Sequence, residues 1–323
     1  MKRSILAAAV CAGSLAACDV LLGLHDRTLE GEDAAADAAD ATACDGDFCA
    51  CHPHDFCEDF DPYSQLPDLE SRWQVPGFGT SIYQLGGSVA LDNGNVVQPP
   101  SRPNALATAV LLQPPISQGA GFIMGQFPAP DAGGPVVGVA INLQMLVTHM
   151  DPLDGATPVL DSGVLLFGGV LALVNATSKN GVGITMSEQG VYVGYALNVL
   201  TAGARLAQGK QFFNLDPVFP SYVPMQLLVA KRSSKALPNV ACTAGPVLTD
   251  VDGGSAPDAS LPADPVVVVA STGFSPPACE VLSADLVDPG WLSSPIVVLG
   301  SIVTGQGVFA ISFDNVTLDF LRE

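Results

Sequence analysis

The chain has 323 residues, 48% of them hydrophobic and only 14% charged, with 33 glycines and 26 prolines. That is enough apolar material for one large β domain or two ordinary ones, and the glycine and proline content favours turns over long helices. The formal charge of −20 repels nucleic acid and anionic surfaces, which sets nucleic-acid binding aside.

The first recognisable element is at the N terminus. Lys2-Arg3 precede an apolar run from Ile5 to Leu15, and Leu15-Ala16-Ala17-Cys18 closes it. A charged start, a short apolar core and small residues before a cut site describe an export signal. The run is too short to span a bilayer. A cysteine directly after Leu-Ala-Ala resembles the lipobox of bacterial lipoproteins. The resemblance implies a signal over residues 1–17, cleavage before Cys18 and lipid on Cys18. It also implies a membrane-anchored protein of the cell envelope, at the outer membrane or the cell surface. An ordinary cleaved signal, with Cys18 incidental, is the alternative. Without Lys2 and Arg3 the mature chain carries about −22.

Residues 18–43 are acidic and rich in alanine and aspartate, centred on Asp33-Ala34-Ala35-Ala36-Asp37. Such a stretch has little to bury and much like charge to repel, so it is expected to be a disordered tether. As a flexible coil of about 25 residues it spans roughly 25–30 Å.

Residues 44–57 form a cysteine-rich knot. With Cys11 lost in the signal and Cys18 lipidated, six cysteines remain: Cys44, Cys49, Cys51, Cys57, Cys242 and Cys279. An even number in an exported chain reads as disulfides. His52 and His54 make zinc the alternative, although the spacing matches no common zinc frame. Cys49 and Cys51 are too close to bond to each other without strain. Three bridges are expected: Cys242 to Cys279, and two within Cys44–Cys57.

From residue 56 to 323 the chain reads as strands and turns. Val137, Val139, Ile141, Leu143, Met145 and Val147 alternate strictly with their neighbours, the pattern of a half-buried strand. Similar runs lie at 81–85, 105–112, 121–127, 164–174, 182–186, 191–199, 225–231, 266–270 and 296–299, separated by Gly, Pro, Asn or Asp. Many strands without helices between them mean a sandwich or barrel. Val164-Leu165-Leu166-Phe167 is apolar at every position, so its strand is expected to be central and covered on both sides. Residues 249–265 break the pattern with Asp, Gly, Ser and Pro and read as a mobile loop, bracketed by Cys242 and Cys279.

Two stretches carry a family likeness. Phe56-Cys57-Glu58-Asp59-Phe60-Asp61, followed by Trp73, opens the domain, and Phe309-Ala310-Ile311-Ser312-Phe313-Asp314-Asn315-Val316-Thr317-Leu318 closes it. With Pro103-Asn104 and Pro295–Gly300 between them, they resemble the concanavalin A-like jelly roll of lectin-like and laminarinase-like proteins. The resemblance implies an all-β, two-sheet antiparallel sandwich with its first and last strands paired. In the last strand Phe309, Ile311 and Phe313 are odd-numbered while Val316, Leu318 and Phe320 are even. If both sets serve one core, an extra residue is absorbed at Asp314-Asn315 as a β-bulge. The resemblance further implies a structural calcium ion at that point, held by Glu58, Asp59, Asp61 and Asp314. A plain bulge whose Asp314 caps backbone N–H groups is the alternative, as is a strand with no bulge and both faces covered.

The hydrolases of this fold place paired glutamates on one strand, and retaining chemistry needs two carboxyls about 5–5.5 Å apart. Here Glu58, Glu70, Glu188 and Glu280 stand far apart in sequence, and no Gly-x-Ser-x-Gly elbow occurs. His149 reads as a polar strand-end residue. Sugars stack on exposed aromatics; Trp73, Trp291, Tyr83, Tyr192, Tyr195 and Tyr222 are the candidates, with Tyr192 and Tyr195 on opposite faces of an unbulged strand. The expectation is a lipid-anchored, non-catalytic lectin-like sandwich that binds glycans or proteins, with no catalytic residue assigned. The alternatives are a hydrolase using Asp151 or Asp154 near Glu188, and an envelope scaffold without a small ligand.

Overall fold

A computed structural model describes residues 48–51, 54–69, 72–74, 87–92, 99–101, 104–112, 118–131, 133–151, 166–187, 190–197, 205–214, 221–245, 264–283, 286–288, 290–304 and 307–323. Cys18, the tether, Cys44, His52, Tyr83, Asp154, Glu188 and residues 249–263 lie outside these. So do the side chains of Cys51, His149 and Asp151.

Strands dominate. They are β1 (Phe56–Glu58), β2 (Gly87–Asp92), β3 (Ala105–Leu112), β4 (Gln118–Gln126), β5 (Val136–Asp151), β6 (Leu166–Asn175), β7 (Asn180–Ser187), β8 (Gly190–Leu197), β9 (Arg205–Phe213), β10 (Val223–Lys231), β11 (Thr243–Ala244), β12 (Val266–Thr272), β13 (Ser275–Val281), β14 (Ile296–Thr304) and β15 (Gly307–Arg322). Two four-residue helices, α1 (Phe48–Cys51) and α2 (Leu66–Leu69), flank β1.

One sheet runs β11-β13-β12-β10-β5-β15-β3-β2, with β1 added on β15; the other runs β4-β14-β6-β7-β8-β9. Pairing is antiparallel except for the short β11–β13 bridge, which is parallel. The fold is an all-β, two-sheet jelly-roll sandwich, with its N- and C-terminal strands joined in the larger sheet.

Alternation decides which side chains meet between the sheets. Val139, Ile141, Leu143 and Met145 of β5 face Val170 and Ala172 of β6, Ile184 and Met186 of β7, and Val191 and Val193 of β8 within one buried cluster. Each fully buried aliphatic side chain stabilises this core by about 1.5–3 kcal/mol. As its all-apolar sequence implies, β6 is central in its sheet, and its opposite face is buried too through Leu171 and Leu173.

β15 carries the register change expected from its parity. Asp314 is opposite Gln144 and Thr317 opposite Asn142, so three steps on β15 match two on β5. Asn315 takes up the extra residue with φ 50°, a left-handed conformation that Asn tolerates better than most residues. Phe309, Ile311 and Phe313 before the bulge and Val316, Leu318 and Phe320 after it all enter the same core.

Residues 232–245 fold back over the outer face of the larger sheet. Leu237, Val240 and Cys242 pack on Leu228, Val267 and Val269. A disulfide joins Cys242 to Cys279, with Cα atoms 4.4 Å apart. A second joins Cys49 to Cys57, fastening α1 to β1.

Candidate functional site

Pairing of β1 with β15 sets Glu58 opposite Val316, one residue beyond the bulge. The acidic residues of the first strand and Asp314 thus gather at one corner. Asp314 is fully buried. Its Oδ2 accepts the Ser101 backbone N–H at 2.9 Å, and its Oδ1 accepts the Ser101 hydroxyl at 2.7 Å and the Asn315 N–H at 2.8 Å. Asp61 Oδ1 accepts the Asn104 N–H at 2.8 Å, and Asp59 Oδ1 accepts the Asp61 N–H at 3.3 Å. Glu58 Oε2 accepts from Tyr63 OH at 2.8 Å and Trp73 Nε1 at 3.3 Å, while Oε1 accepts the Phe60 N–H at 3.3 Å.

Burial raises the Asp314 carboxyl to about 7, with the nearby Asp61 adding to the rise and the Ser101 and Asn315 donors opposing it. Burial also raises Glu58, against the pull of Tyr63, Trp73 and Phe60. Calcium asks for 6–8 oxygens. The oxygens of Glu58 and Asp314 already face N–H and O–H donors, and among the described residues no group of three or more acidic, His or Cys side chains is arranged to hold a metal. Among the described residues of this corner, Asn315 Oδ1 is a buried oxygen without a partner. The four acidic residues come together, but as hydrogen-bond acceptors; their arrangement does not fit a calcium site.

Among the described residues, three further carboxylates are also engaged. Glu280 lies inside the sandwich, accepting from Tyr195 OH at 2.5 Å and the Lys210 N–H at 2.6 Å. Burial, reinforced by Glu280, pushes the Tyr195 hydroxyl far above its ordinary range. Asp319 pairs with His54 Nδ1 at 2.8 Å, and Asp55 Oδ2 accepts the Phe320 N–H at 2.7 Å. His54, one of the two histidines behind the zinc alternative, thus meets a carboxylate of the last strand.

The aromatics expected as sugar platforms are mostly interior. Trp73, Trp291, Tyr192 and Tyr195 are buried, while Tyr63 and Tyr222 are half-buried. Tyr195 joins the main core and Tyr192, at opposite parity, does not. Among the described residues, the aromatic on the surface is Phe274, 68% exposed at the β12–β13 turn. Nothing in the sequence marks it, because a lone Phe beside Gly carries no pattern.

Beside that turn the larger sheet carries a row of uncharged polar side chains. Ser271, Gln226, Asn142 and Thr317 stand opposite one another on β12, β10, β5 and β15. Each lies between buried, inward-facing residues in its strand and so points to the other face. Gln226 Nε2 donates to Asn142 Oδ1 at 2.8 Å, and Asn142 Nδ2 donates to Thr317 Oγ1 at 3.2 Å. Gln144 stands one pleat away, opposite Pro224 and Asp314.

No protein-family model matches the sequence, and no curated protein sequence matches it. Among solved structures, it is similar to an endo-1,3-beta-glucanase from Streptomyces sioyaensis, at 12% identity over 84% of this chain and 97% of that one, with TM-score 0.40. It is similar to the PL-14 alginate lyase from Aplysia kurodai at 9% identity, over 83% and 100%, with TM-score 0.42. A third, the family 7 alginate lyase A1-II', shares 10% identity over 79% and 95%, with TM-score 0.38.

Proposed function

We propose that the chain is an exported, lipid-anchored surface protein whose sandwich binds glycans without cleaving them. The observation that carries this is the contrast between its carboxylates and its amides. Glu58, Glu280 and Asp314 are buried and spent on protein donors, whereas Gln226, Asn142 and Gln144 are half-buried on an outer sheet face. Amides that both donate and accept match sugar hydroxyls, which do the same. The anchor rests on Leu15-Ala16-Ala17-Cys18, and the acidic tether would hold the domain away from the membrane. A glycan-array and polysaccharide-degradation screen tests the reading, with a protein ligand and a hydrolase as its competing outcomes.

A further inference from the structure

We infer that the row Ser271, Gln226 and Asn142, with Gln144 one pleat away on the same outer face of the larger sheet, takes an uncharged, extended polysaccharide chain. The inference rests on the glycan-binding reading above and names the site and the ligand class.

Four features support it. First, the row has no charged side chain, and its amides are already ordered by the Gln226–Asn142–Thr317 hydrogen bonds. Less side-chain freedom is then lost when a ligand binds. Gln144 makes no side-chain hydrogen bond among the described residues, so its amide can both donate and accept. Second, the row crosses adjacent strands, spaced about 4.8 Å apart. That spacing is close to the repeat of an extended β-linked pyranose chain, so successive strands can meet successive rings.

Third, the surroundings reject anions. Asp319 lies two residues along β15 from Thr317. The whole chain carries −20, and a polyuronate would meet like charge with no cation in the row to offset it. Fourth, the row has an apolar neighbour at each side. The flap residues Leu237 and Val240 cover the sheet beyond Gln226. At the other side, the Gly273 position lies against Pro224 and the exposed Phe274 follows it. An exposed aromatic gives the apolar face of a sugar ring somewhere to stack.

The test uses the purified full-length chain, titrated calorimetrically with neutral β-glucan oligosaccharides and with oligogalacturonates of matched length. The expected result is binding of the neutral oligosaccharide alone. Gln144→Ala and Gln226→Ala should each weaken it roughly three- to tenfold, the loss of one hydrogen bond, with melting temperatures near wild type. Neutral binding that neither substitution weakens would overturn the site and leave the glycan-binding reading standing. Preference for oligogalacturonate would overturn the ligand class. Binding of neither probe, with no glycan bound on an array, would sink the broader reading with it.

Discussion

Asp314 and Ser101, 213 residues apart in sequence, are joined by two hydrogen bonds of 2.9 and 2.7 Å in a fully buried corner of the larger sheet. The pair closes the loop before β3 onto the bulge in the last strand, where β1 also pairs. Replacing Asp314 with Ala leaves the Ser101 and Asn315 N–H groups buried without acceptors. The expected cost is about 3 kcal/mol, or roughly 6–12 °C in melting temperature for a domain of this size. Because the carboxylate serves as an acceptor, wild type should melt at the same temperature in calcium and in chelator, and the loss in the mutant should be the same in both. A calcium-specific rise in wild type that disappears in Asp314→Ala would mean that a metal holds this corner.

The same carboxyl sets a pH dependence. Its folded value is raised to about 7 from an ordinary 3.8. A raised value means that the folded state holds the proton more tightly than the unfolded state. The resulting stability is full below the unfolded value and is lost as pH rises through the folded one. Glu58, also raised by burial, acts in the same direction. Urea midpoints should therefore fall from about pH 4 to about pH 7 and level off above it, and Asp314→Asn should flatten that slope. A wild-type midpoint that rises over this range would contradict the assignment.

The Cys242–Cys279 bridge closes a loop with a sequence separation of 37. In the chain-entropy picture, removing it costs about 4 kcal/mol. The double substitution to Ser should also loosen the flap from Leu228, Val267 and Val269. Increased binding of a hydrophobic dye, together with the lower midpoint, would show both effects. An unchanged dye signal would mean that the flap stays packed without its staple.

Tyr195→Phe removes one of the two donors to buried Glu280. An acceptor left short of a partner in the interior costs about 1–3 kcal/mol. Equilibrium unfolding measures the cost.

Cys18→Ser tests the anchor separately from the fold. The lipoprotein reading expects the wild type in the membrane fraction with an acylated N terminus by mass spectrometry, and the substituted chain unlipidated. An unmodified Cys18 in mature protein would return the signal to the ordinary kind.

Much of this architecture is legible in the sequence because strands with one buried face write it as alternation. Val137 to Val147 mark β5, and the switch from odd to even after Phe313 marks the bulge. β9 is not visible, since Arg205-Leu206-Ala207-Gln208-Gly209-Lys210 is a polar edge with little to bury. β13 begins Ser275-Pro276-Pro277 and reads as a turn. The candidate site is illegible for a different reason. Gln226, Asn142 and Thr317 are single polar residues between core residues, and only strand register brings them side by side. Register here links residues as far apart as 175 positions. The acidic corner does show in the sequence, but spacing cannot reveal that Ser101 supplies the donors that occupy Asp314.

On this reading the sandwich binds glycan without cleaving it. The most direct measurement incubates the purified full-length chain with a panel of neutral and acidic polysaccharides, assaying retention of each polymer and release of reducing or unsaturated ends. At least one neutral polymer should be retained, with no new ends above a no-protein control. New chain ends that appear in proportion to protein and time would contradict it.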